Sequence, residues 1–144
     1  MFLEKYYSMN VFLGCFWETF GEFLGGIFMR KKNYKGRCEK QTLEKFVTIC
    51  KTYDPIQTAY ANALAKNDSV ASIRCNVVLD GDECGEYMTD FVCTKNDGDL
   101  MVRECCQRKF LTKPQTAALL EMSRNYWLRR GVTDWGVVVD AAEE

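Results

Sequence analysis

Two carboxylates in the stretch Tyr87–Lys113, YMTDFVCTKNDGDLMVRECCQRKFLTK, stand where hydrocarbon is expected. Short apolar runs flank Asn96-Asp97-Gly98-Asp99, a turn sequence that predicts a β-hairpin. Side chains alternate between the faces of a strand, so Asp90 is predicted to share a face with Met88 and Val92, and Glu104 with Val102 and Cys106. Carboxylates on the apolar faces of neighbouring strands are costly unless something compensates them. A divalent metal ion would do so for both at once.

Composition narrows the remaining chemistry. The chain has 144 residues, the size of one domain, with 47% hydrophobic and 27% charged residues, so it reads as globular. Its net charge of -1 gives no global basic signature. Binding to nucleic acid would therefore fall to a local patch. Arg103, Arg108, Lys109 and Lys113 form one such cluster, and Arg30, Lys31, Lys32, Lys35 and Arg37 another. There is no histidine, which excludes Ser-His and Cys-His nucleophilic catalysis. The 8 cysteines include no C-x-x-C pair, which argues against a zinc site. Cys50, Cys75 and Cys93 fall inside apolar runs, where a free thiol acts as a small hydrophobe, and a reducing intracellular compartment is the simpler reading.

The elements that must position these residues follow from periodicity and punctuation. Residues 1–28 form an aromatic-rich amphipathic extension, with Phe12, Phe16, Phe20, Phe23 and Ile27 at helical spacing. Glu18 and Glu22 interrupt it, so a membrane-spanning helix is not predicted. A packing or dimerisation helix, a membrane-surface helix, and an extension upstream of a start at Met29 all remain open for this stretch. Residues 29–144 make the main domain. Leu43, Phe46, Val47 and Cys50 predict a helix over 39–53, ended by Asp54-Pro55, with Glu44 at the edge of its apolar stripe. A second helical stretch runs from Ile56 to Ala65. Strands follow over 72–79, 86–94 and 100–106, and then a helix opens at Thr112-Lys113-Pro114 and closes near Gly131. Asp134 to Asp140 reads as a last strand, pairing in parallel with the strand before the helix through a right-handed crossover.

That αβββαβ order, with acids on the first helix and on strands two and three, resembles the core of the restriction-endonuclease-like PD-(D/E)xK nucleases, an α/β fold with a mixed sheet flanked by helices. Thr42-Leu43-Glu44-Lys45-Phe46 with Tyr53-Asp54-Pro55, Thr89-Asp90-Phe91, Leu100 to Glu104, Lys113-Pro114 and Tyr126-Trp127 are similar to the N-terminal domain of TnsA-type transposase endonucleases. The resemblance covers about residues 37–140. It implies a Mg2+ (or Mn2+) site built from Glu44, Asp90, Glu104 and the carbonyl of Cys105, since such ions take oxygen ligands and keep several waters. The bound metal would activate water and neutralise the leaving oxygen in phosphodiester hydrolysis. Arg103, Arg108 and Lys113 would contact phosphates. The implied function is a metal-dependent DNA endonuclease of a mobile element or phage, acting with a transposase or other nucleoprotein partner, with no small-molecule cofactor and no membrane role.

One position departs from the pattern. The lysine expected two residues after the strand-three acid is Cys106, and a thiol cannot supply an ammonium to stabilise an oxyanion. Lys109 would take that role only if the chain bends after Cys106, and Arg103 points away from Glu104 by alternation. TnsA-type proteins usually continue into a winged-helix domain, whereas this sequence ends at Glu144. The alternative is therefore a catalytically degenerate nuclease-fold protein that binds nucleic acid or a nucleoprotein complex, as a transposition accessory factor or a mobile-element inhibitor of a host nuclease system.

Overall fold

The computed structural model of the 144-residue chain describes residues 2–3, 37–81 and 87–140. Strands β1 (Phe2–Leu3), β2 (Glu39–Gln41) and β3 (Cys50–Thr52) precede helix α1 (Pro55–Ala65). Then come β4 (Val70–Val78), β5 (Met88–Lys95), β6 (Leu100–Cys106), a 3-10 turn (Arg108–Phe110), helix α2 (Pro114–Arg129) and β7 (Asp134–Asp140). The amphipathic run over 4–28 and the basic residues Arg30, Lys31, Lys32 and Lys35 lie outside the described residues.

The main sheet is mixed, in the order β1-β7-β6-β5-β4, and β2 and β3 form a separate antiparallel pair. β4, β5 and β6 make an antiparallel meander, while β6 and β7 run parallel, as the predicted crossover requires. The tight turn after β5 forms as its residues demand: Gly98 takes φ 93, and Asp97 Oδ1 accepts the Asp99 N–H at 2.9 Å. Helices cover both faces of the sheet. Tyr60, Ala61 and Leu64 of α1 pack with Ile73, Phe91, Cys93 and Cys105. On the other side Leu119, Met122, Tyr126 and Trp127 of α2 pack with Val92 and Val102.

Thus an αβββαβ core is present from Pro55 onward, but its first helix is not the predicted one. Residues 39–53 form no helix; they fold as β2, a turn and β3. Lys45 sits at φ 70, a left-handed conformation that interrupts a helix. Phe46 then bridges Ile73 in parallel, covering part of the edge of β4. Asp54-Pro55 begins a helix instead of ending one. Asp54 Oδ1 accepts the Gln57 N–H at 2.8 Å, and Pro55 occupies the first helical turn, where its missing N–H costs nothing.

The β4–β5 ribbon changes faces part-way along. Ile73, Cys75, Phe91 and Cys93 face α1, whereas Val77, Leu79 and Tyr87, of the same parity, pack on the α2 side. The switch falls at Asn76 and Asp90, which lie between the pairs Cys75↔Phe91 and Val77↔Thr89. Asn76 takes φ 53, which asparagine tolerates better than most side chains. Its side chain ties the surroundings together, donating to Lys51 O at 2.6 Å and accepting from Gln57 Nε2 at 3.0 Å. Simple alternation through Asp90, as read from the sequence, therefore does not hold. Among the described residues, no helix is long and apolar enough to cross a membrane.

Candidate functional site

Strands β5 and β6 carry the two acids to adjoining places. Their ladder runs Thr94↔Leu100, Cys93↔Met101, Val92↔Val102 and Phe91↔Arg103, and it stops there. Asp90 and Glu104 are the next facing residues. Beyond the last pair a side chain replaces the backbone partner: Asp90 Oδ2 accepts the Cys105 N–H at 2.7 Å. Both acids are 0% exposed.

Glu104 is enclosed on the α2 side. Tyr87 Oη donates to its Oε2 and Ser123 Oγ to its Oε1, the latter at 3.3 Å. Ser123 in turn accepts from Trp135 Nε1 at 3.2 Å, and Thr89 accepts from Trp127 Nε1 at 3.0 Å. Two indoles and three hydroxyls thus build a polar layer within an otherwise apolar contact. Such groups must be satisfied internally once water is excluded.

The remaining predicted site residues are dispersed. Glu44 is exposed in the turn before Phe46, while Leu43 and Phe46 beside it pack on the α1 side of the sheet. Glu104 points to the α2 side, so the structure does not bring Glu44 to the pair. The physical reason is the missing helix: without it, no regular element aims Glu44 at the sheet. Cys105 is buried, and its N–H is taken by Asp90. The Cys106 Sγ lies 3.3 Å from Gln107 O. Among the described residues, no group of three or more His, Cys, Asp or Glu side chains is placed to hold a metal ion.

The cations divide into two groups. Arg103, predicted to contact phosphate, is 2% exposed and belongs to the fold. Its guanidinium reaches Asp134, with Nη2 2.9 Å from Oδ1, and Nη1 donates to Val102 O at 3.0 Å and Asp134 O at 3.3 Å. It crosses β7 at Gly136, where an added Cβ would lie 3.5 Å from its Cδ, Nε and Cζ. By contrast, Lys109 and Lys113 are exposed after β6, with ammonium groups 5.0 and 4.6 Å from the centre of the Phe110 ring. Arg108 is anchored through its N–H to Asp140 Oδ1 and its Nη2 to Asp140 O. The chain does bend after Cys106, into the 3-10 turn, but Lys109 points to solvent at Phe110. Beside this segment Asp54, Tyr87, Cys106, Phe110 and Leu119 help to line a cavity of about 170 Å3.

No family model matches the chain, and no curated protein matches its sequence.

Asp134, Tyr87, Ser123 and Trp135 were not singled out as site residues by their spacing. The signal for Asp134 lay in Arg103: a cation inside a buried strand needs a carboxylate from a neighbouring strand. Asp134 also receives Lys95 Nζ at 2.7 Å. Burial alone would raise its carboxyl pKa, but hydrogen bonds from Lys95 and Arg103 outweigh it and hold the group below the ordinary carboxylate range. Protonation is thereby disfavoured in the folded state. The resulting stability is complete above the unfolded pKa and is lost as pH falls through the lower, folded one. Below about pH 4, the urea midpoints of the wild type and Asp134→Asn should converge; a gap that stays constant from pH 7 into strong acid would contradict this ion pair.

Proposed function

We propose that this chain is a catalytically degenerate nuclease-fold protein that binds nucleic acid, or a nucleoprotein complex, without cutting it. The observation that carries the reading is the enclosure of Glu104, fully buried with a hydroxyl donor on each carboxyl oxygen. A hydrolytic Mg2+ needs coordination positions open to water and to a phosphate oxygen. A carboxyl group sealed between a tyrosine, a serine and helix α2 presents none. Cys106 at the lysine position supports the same reading, since a thiol supplies no ammonium there.

Support for the restriction-endonuclease-like frame comes from the αβββαβ order and the mixed sheet between two helices. Support for nucleic acid as ligand comes from Lys109 and Lys113 around Phe110 on the exposed turn after β6. Ammonium groups neutralise phosphates, and an aromatic ring offers a stacking face to an unpaired base. The binding this predicts is tolerant of sequence and sensitive to salt. Replacing Lys109 and Lys113 together by alanine should lower the slope of log affinity against log salt by about 1–2, measured by fluorescence anisotropy on labelled single-stranded DNA and RNA. An unchanged slope would remove these lysines from the interface.

A second reading, an active TnsA-like endonuclease with Mg2+ on Asp90 and Glu104, is favoured by one observation: the acids face each other where the β5–β6 ladder stops. The two readings separate in one assay. Supercoiled plasmid and structured RNA are incubated with Mg2+ or Mn2+ and either the wild type or Asp90→Ala. The degenerate reading expects binding and no cleavage by either protein. Cleavage by the wild type that disappears in Asp90→Ala would overturn it in favour of the endonuclease.

A further inference from the structure

The edge of the sheet carries a pair of thiols that neither reading uses. Cys50 on β3 and Cys75 on β4 meet where the small β2–β3 hairpin packs against the main sheet. Two contacts bracket them. Cys75 Sγ donates to Ile49 O at 3.9 Å, and Asn76 Nδ2 donates to Lys51 O at 2.6 Å. The neighbours of Cys50 on both sides are thus bonded to Cys75 and to the residue after it. Cys75 also packs against the buried cluster that contains Cys50. Their environments differ: Cys50 is 0% exposed, whereas Cys75 is partly exposed and lines a groove with Ile49, Lys51, Tyr53 and Met88.

We infer that Cys50 and Cys75 form a two-thiol redox site that takes up a low-molecular-weight disulfide and closes into an intramolecular disulfide tying β3 to β4. Cys75, open to the groove, loses its proton to solvent and attacks one sulfur of the reagent RSSR. The reagent's S–S bond breaks, a Cys75–SR mixed disulfide forms, and RS− leaves and is protonated. Cys50 then loses its proton and attacks Cys75 Sγ, expelling the second RS−. Two protein thiols are oxidised, and one RSSR is reduced to two RSH. A thiolate is the attacking form in each step. Cys50 is 0% exposed, and burial disfavours its thiolate, so closure is the slower step. The product would fasten the hairpin to an edge now joined to it by side-chain contacts and the Phe46–Ile73 bridge.

The test uses the full chain and oxidised glutathione, followed by alkylation of free thiols, proteolysis and mass spectrometry. The expected result is a dominant Cys50–Cys75 linked peptide, an intact mass lower by two hydrogens, and reversal by dithiothreitol. In Cys50→Ser the reaction should stop at a glutathione adduct on Cys75. Three outcomes would overturn the proposal: an adduct on wild-type Cys75 that never closes, linkage of Cys75 to Cys38 instead, or no excess adduct in Cys50→Ser. Should that variant fail to fold, the wild-type peptide map decides alone.

Discussion

Asp134→Ala should cost about 3 kcal/mol, read as a lower urea midpoint at pH 7 with an unchanged denaturant slope. Removing one member of a buried ion pair strands the other, and Arg103 is the worse group to strand. It is 2% exposed and would lose its carboxylate partner while the carbonyl oxygens of Val102 and residue 134 stay among its acceptors. The figure belongs at the low end for a buried pair because the Asp134 side chain is itself 31% exposed. The converse change should be milder. In Arg103→Met the carboxylate keeps Lys95 at 2.7 Å and its contact with water, and the methionine can lie over Gly136. A loss of about 1 kcal/mol is expected there. Equal losses from the two variants would mean that Asp134 depends on Arg103 as strongly as Arg103 depends on it, contrary to their exposures.

Glu104→Ala should cost a similar amount, about 3 kcal/mol. It opens a cavity under helix α2 and removes the acceptor shared by Tyr87 and Ser123. Tyr87→Phe takes away one donor and leaves the Ser123 contact in place, so about 1 kcal/mol is expected. The pair of variants also reports on function. A site that bound Mg2+ in the folded state alone would gain stability with added ion, by mass action. For a structural Glu104, excess Mg2+ leaves the thermal midpoint of the wild type where it was. A Mg2+-dependent rise that is lost in Glu104→Ala would instead identify a metal ligand.

The parts of this fold that depend on local chemistry were legible in the sequence. The hairpin at Asn96–Asp99, the proline-led helix before Gly131 and the parallel final strand all appear where their residues place them. The stretch 39–53 was misread because its apolar spacing satisfies a helix while Val47, Thr48, Ile49 and Thr52 favour extended backbone. There, packing against β4 decides the outcome. The acid pair was legible as an anomaly, and its neighbourhood was not: Tyr87, Ser123 and Trp135 come from three separate segments. Alternation aimed Arg103 away from Glu104, and its other-face partners confirm that direction. Its reach across Gly136 to Asp134 depends on strand register, which no local pattern encodes.

The change of face at Asn76 and Asp90 bears on how the molecule comes apart. On one ribbon, β4–β5, side chains of the same parity supply floor to α1 along half its length and to α2 along the other half. In a regular ribbon each helix would rest on its own set of alternating side chains, and one layer could loosen while the other held. Here one set of side chains belongs to both layers, so loosening either helix disturbs residues continuous with its counterpart's floor. The layers are therefore coupled in a single cooperative unit, and local opening is left to the β2–β3 hairpin at the sheet's edge.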